Sequence, residues 1–112
     1  MTDARKTSTP LPGSPVRGSH SGRPIMALLD LLGRRWTLRV LWELSHESVG
    51  FRELQRRCDN MSSSMLHQRL GELREARFAS NENGRWELTS LGRQLLEQLE
   101  PLYVFANNWK PT

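Results

Sequence analysis

The reading of the fold turns on residues 51–76, FRELQRRCDN MSSSMLHQRL GELREA. Phe51, Leu54 and Cys58 recur at i, i+3 and i+7, the spacing of one face of a short helix. Asp59 and Asn60 follow as tight-turn residues, whose short polar side chains tolerate left-handed backbone. Ser62 suits the N-cap of a second helix, and Met61 and Leu66 occupy the N′ and N4 positions of a hydrophobic staple. Leu66, Leu70 and Leu73 then form one buried stripe that runs to about Ala76. A short helix, a brief turn and a capped longer helix make the pattern of a helix-turn-helix.

Upstream, Ile25, Leu28, Leu29 and Leu32 form a helical stripe between Pro24, suited to a first turn, and Gly33, suited to an end. A second helix over about 35–45 carries Trp36, Leu38, Val40, Leu41, Trp42 and Leu44. It is apolar over much of its circumference, so it is expected to be the central core helix, with Trp36, Trp42 and Trp86 in the core. Residues 46–50 read as a break. Downstream, Asn83-Gly84 between 78–82 and 85–88 is a strong hairpin signal. Thr89 can cap a final helix bearing Leu91, Leu95, Leu99, Leu102, Ala106 and Trp109, with a kink expected at Pro101. The expected fold is mainly α with a small β-hairpin, a winged helix-turn-helix over 24–112. Residues 1–23, rich in Ser, Thr, Pro, Gly and Arg, read as a flexible basic N-terminal tail.

The 112 residues allow one domain with a modest core, so stability borrowed from a second copy is a natural expectation. The net charge is +4. Four basic residues against Asp3 leave +3 in 1–23, and twelve basic against eleven acidic residues leave +1 in 24–112. Attraction to DNA must therefore come from where the arginines sit. One cysteine, Cys58, cannot form an internal disulfide or a zinc site, and its apolar helical position suits a buried thiol. His20, His46 and His67 lack ligand-like spacing, and no catalytic constellation emerges, so no metal, cofactor or enzymatic activity is expected. No apolar stretch approaches a membrane span, and the N-terminus lacks the apolar region of a secretion signal, which points to the cytoplasm.

With the leucine stripe turned inward, Ser64, Gln68 and Gly71 point outward and His67 lies beside them. Such helices enter the groove with their N-terminal half. Ser62, Ser63, Ser64, His67 and Gln68 are thus the candidate base and phosphate contacts, Gln68 having the bidentate chemistry for adenine. Arg69, near the edge of the core stripe, is a candidate for a phosphate or an internal carboxylate. Arg52, Arg56 and Arg57, together with Arg34 and Arg35, are candidate phosphate clamps, and Arg85 is the wing candidate. For each, a merely solvated basic face is the competing reading. The final helix stripe, with Leu95, Leu99, Leu102 and Trp109, is expected to pair with a second copy, Ile25 and Leu29 supplying opposing surface.

Four segments in this order resemble the HxlR-type regulators. They are Leu31-Leu32-Gly33-Arg34-Arg35-Trp36-Thr37-Leu38, Phe51-Arg52-Glu53-Leu54, the run Met61 to Leu70, and Leu88-Thr89-Ser90-Leu91-Gly92. The resemblance implies a winged-helix homodimer that binds operator double-stranded DNA. It leaves a small-molecule effector open, since some members sense electrophiles, oxidants or metabolites. Arg34 and Arg77 stand where the family pattern has glycines, and the wing tip is short. Arg23-Pro24-Ile25 replaces the Cys-Pro-Val context of redox-sensing members. A winged-helix protein-interaction module without DNA binding is the rival reading.

Overall fold

The computed structural model describes residues 9–16 and 18–111. In chain order it contains α1 (Pro24–Leu32), α2 (Thr37–Leu44), β1 (Val49–Gly50), α3 (Phe51–Arg57), α4 (Ser63–Glu75), β2 (Ala79–Glu82), β3 (Arg85–Leu88) and α5 (Ser90–Asn107). This is the winged helix-turn-helix order. The sheet is antiparallel in the order β1-β3-β2, with Val49 opposite Trp86 and Ala79 opposite Leu88. β1 falls inside the expected break. Two residues cannot display an alternating pattern, and only the partner strand defines them.

α2 packs against α1, α3, α4, α5 and β3, as a central helix should. Val40, Leu41 and Leu44 are fully buried with Leu54, Cys58, Leu66, Leu70 and Leu73, and Trp86 closes the core from the sheet. One expectation needs correction. Trp42, and Leu38 with it, turn out of the core and are exposed. On α1 the deeply buried residues are Ala27 and Leu31, and Ile25 and Leu29 face outward. A helix that is apolar on nearly every side offers no period by which to choose its buried face.

The turns follow their residue chemistry. Asp59 and Asn60 both adopt positive φ, as do Asn83 and Gly84 at the hairpin tip. The turn after α3 is held by Arg39, which bonds Glu43 at 3.0 Å, Asp59 at 3.1 Å and the Arg57 carbonyl at 2.6 Å. Ser62 caps α4 by accepting from the Met65 N–H at 3.2 Å, and Met61 and Leu66 are buried on either side of it.

α4 ends with Arg77 at φ 68° and the Phe78 N–H donating to Leu73 O at 2.9 Å, a Schellman closure that favours glycine. Arginine there carries the cost of left-handed backbone. Arg77→Gly is expected to stabilise the chain by about 0.5–1 kcal/mol, raising the melting temperature by about 2–8 °C in calorimetry. A lower melting temperature would show that the arginine side chain outweighs its backbone cost. At the next element Thr89 caps α5 by accepting from Gly92 N–H at 3.0 Å, and its hydroxyl donates to Arg77 O at 2.6 Å. A Cβ on Gly92 would lie 2.1 Å from Phe78 O, so only glycine lets α5 start this close to β2.

Within 1–23, residues 9–16 and 18–22 carry local structure. Val16 and Ser19 exchange backbone hydrogen bonds, and the Gly13 N–H donates to Gly22 O at 2.9 Å. Pro10, Leu11 and Pro12 line a small cleft with Ala27, Leu28 and Leu31. Arg5, Lys6 and Arg17 lie outside the described residues.

Candidate nucleic-acid interface

The capped N-terminal half of α4 presents Ser62, Ser63, Ser64, His67 and Gln68 to solvent, and Gly71 is half-buried. Phe51, at the start of α3, stacks on the His67 ring with centroids 4.1 Å apart and planes 21° from parallel. That contact holds the imidazole on the face shared by α3 and α4. Phe51, Arg52, Gln55, Ser63 and His67 line one polar hollow of about 380 Å³. Among the described residues no carboxylate lines it. Gln55 donates to Met61 O at 2.9 Å and ties the hollow to the turn. Gln55 lies three residues beyond Arg52 on the same helical face, a spacing that would have marked it in the sequence.

The arginines divide into two groups. Arg56 and Arg57 both bond Glu53, and Arg57 also reaches Glu47 at 3.2 Å. Arg52 makes no ion pair among the described residues, so its guanidinium can meet a phosphate without first leaving a carboxylate. Arg85 is exposed beside the wing tip, in the strand pair that closes the hairpin turn, and does not line the hollow. There it donates to Ser48 Oγ at 3.1 Å and Ser48 O at 2.6 Å. Arg35 is exposed, its guanidinium 5.8 Å from the Trp36 ring centroid.

Arg69 and Arg34 are not brought to this face. Arg69 is buried, donating to Glu72 Oε1 at 2.8 Å and to Arg35 O at 2.6 Å. Arg34 is equally enclosed, donating to Glu72 Oε2 at 2.6 Å. Of the alternatives open to Arg69, the internal carboxylate is the one it meets here. Glu72 is buried between the two arginines.

Of the residues expected at a second-copy surface, Ile25, Leu29, Leu102 and Trp109 are exposed. Trp109 lies just past the end of α5 rather than on it. Leu95 is buried in the chain's own core and Leu99 is half-buried against it, because both sit where α5 still crosses α2. Beyond Pro101, Tyr103, Val104 and Phe105 are exposed as well, Phe105 by 62%. A run apolar on all sides, Leu102 to Phe105, was the available signal for them. Tyr103 stacks on Trp42 with centroids 5.1 Å apart, and a groove of about 620 Å³ runs between Leu38, Trp42, Leu96, Leu99 and Tyr103.

Cys58 is fully enclosed, and burial pushes its thiol pKa up to about 11. The neutral thiol is the form stabilised by folding. That contribution is complete below the ordinary thiol range and is lost as pH rises through about 11. At neutral pH almost no thiolate exists to react. Cys58→Ser is expected to lower stability slightly and to leave any response to peroxide or electrophiles unchanged, measured as duplex binding before and after oxidant. An oxidant response that disappears in the serine variant would refute this.

A family model described as HxlR-like helix-turn-helix matches residues 31–112. An HTH-type transcriptional regulator of Methanocaldococcus jannaschii is 24% identical over 89 residues, covering 76% of this chain and 84% of that protein. Among solved structures, quinone-bound YodB from B. subtilis superposes with a TM-score of 0.72 at 24% identity, covering 76% of this chain and 97% of that one. The reduced form of the same transcriptional regulator gives 0.68 at 22% identity, over 78% and 92% of the two chains. At these identities the structural likeness speaks to the fold.

Proposed function

Because the chain belongs to the HxlR-like helix-turn-helix family of transcriptional regulators, we propose that it binds double-stranded DNA sequence-specifically as a homodimer, acting by binding rather than catalysis. The observation that carries this reading is the face shared by α3 and α4. It is a capped helix end with exposed Ser63, Ser64, His67 and Gln68. Beside it stands Arg52, which pairs with no carboxylate among the described residues. Base edges require short or amide side chains that can approach closely, and phosphate requires a cation that is free to pair. Among the described residues no helix is long and apolar enough to cross a membrane, and the cytoplasm is the compartment in which such a regulator would act.

Selection of bound duplexes from a random pool tests this, and a two-fold symmetric consensus is the expected result. On the selected site Gln68→Ala is expected to cost about 1–3 kcal/mol and to relax preference at one base pair per half-site. Arg52→Ala should instead weaken all sequences alike, and the slope of affinity against salt should become shallower by about 1 for each phosphate left without its arginine. A chain that binds no duplex even at low salt would be a protein-interaction module. An unchanged consensus with unchanged affinity in Gln68→Ala would move the readout to the wing or the N-terminal segment.

A further inference from the structure

The four charged side chains enclosed between α1, the α1–α2 turn and α4 form one connected cluster. Glu72 takes Arg34 on one oxygen at 2.6 Å and Arg69 on the other at 2.8 Å. Arg34 also lies 3.8 Å from Asp30 on α1, and Arg69 reaches back to the Arg35 carbonyl at 2.6 Å. The side chains of Asp30, Arg34, Arg69 and Glu72 are each nine-tenths or more buried. Two guanidiniums against two carboxylates leave the group neutral, so each charge depends on the others for compensation.

The remaining inner face of α4 is Leu66, Leu70 and Leu73. Leucine packing is non-directional and tolerates a small roll or slide of the helix. Charge-assisted bonds from planar guanidiniums do not, because a shift of about one ångström breaks both at once. α1 carries Ile25 and Leu29 outward, next to Asp30. We infer that Arg34, Glu72 and Arg69 lock the orientation of α4 relative to α1, and that Arg34 is thereby a positioning residue that sets the spacing between the two DNA half-sites. This rests on the reading of the chain as a DNA-binding dimer. In a dimer built through the terminal helices, the separation of the two α4 helices depends on how firmly α4 is oriented, and beside its leucine packing on α2 the charged cluster is its directional link to α1. Arg34 supplies that joint from the turn, at a position where the resembling pattern has a glycine with nothing to reach Glu72.

The test uses duplexes selected by the parent chain, remade with the half-sites one base pair closer or farther apart, together with a duplex carrying a single half-site. The parent should lose about tenfold for either change of spacing, since each base pair also rotates one half-site about the axis. Arg34→Met, with its folding checked by thermal melting, should keep single half-site affinity within about twofold while the three spacings converge to within about threefold of each other. Arg34→Lys, which keeps a cation near Glu72, should restore the optimum. Should Arg34→Met fail to melt cooperatively, Glu72→Gln serves in its place with the same expected flattening. A sharp optimum in these neutral variants overturns the inference, as does an equal loss on the single half-site and on every spacing, the signature of a structural role alone. A parent that binds no duplex, or whose consensus has one half-site, overturns the proposed function itself and the lock with it.

Discussion

Gly92→Ala should destabilise the chain by about 3 kcal/mol or more and lower its melting temperature by at least about 12 °C in calorimetry. The added methyl would sit 2.1 Å from Phe78 O and 3.0 Å from the carbon that bears it, with Leu88 Cδ2 also within 3.3 Å. The obstacle is backbone, so no rotamer change relieves it. Phe78 O already accepts from the Thr89 N–H at 3.0 Å, and Thr89 caps α5. Moving either group breaks the junction at which α5 leaves the sheet. For a domain of this size such a loss is a large part of the total stability. A melting temperature within about 2 °C of the parent would mean that α5 can shift outward without loss.

The second large effect concerns assembly. Leu102→Glu combined with Phe105→Glu is expected to convert a dimer into monomers in sedimentation at micromolar concentration. It should also cost about 10²–10⁴-fold in affinity for a duplex with two half-sites, since binding at the second half-site is no longer tethered to binding at the first. Both side chains are exposed in the single chain, so the variant should melt near the parent temperature. Leu99 is left in place because it packs half-buried against the chain's own core, and its replacement would confound assembly with folding. A parent that is strictly monomeric at micromolar concentration would remove the basis for this prediction.

What the sequence disclosed depended on how local the determining interactions were. The Ser62 cap, the Met61–Leu66 staple and the Asn83-Gly84 tip each depend on a few neighbouring residues, and each stands where the sequence reading puts it. The exposure of Ser64, His67 and Gln68 follows from the leucine stripe behind them. Interactions across long chain separations were not legible. β1 exists only through Trp86 and Arg85, and Arg34 turns inward because Glu72 arrives from a helix far along the chain. The inward turn of Arg69 was one of two outcomes open to it, and the Arg35 carbonyl that helps hold it belongs to another element. Trp42 was hard to assign for a different reason, since apolar residues surround its helix and only tertiary packing chooses the buried side.

The brief pairing of β1 with β3 has a consequence for the order of assembly. Gly50 lies opposite Arg85, so residues 51–84, with α3, α4 and β2, form a loop closed by a clasp at its two ends. α3 has seven residues and α4 thirteen, lengths at which isolated helices are marginal in water. Closing a loop of this length costs entropy that only the completed core returns. During synthesis, therefore, the face formed by α3 and α4 gains its fixed shape only after Trp86 and Leu88 have left the ribosome, and residues 51–76 cut out as a peptide should remain largely unfolded. The final turns of α5, where Leu102 and Phe105 are exposed, follow β3 in the chain and so are synthesised after the strands that close the core. Each chain is thus expected to complete its own core before it can meet a partner, an order that keeps the apolar end of α5 from being exposed on an unfinished domain.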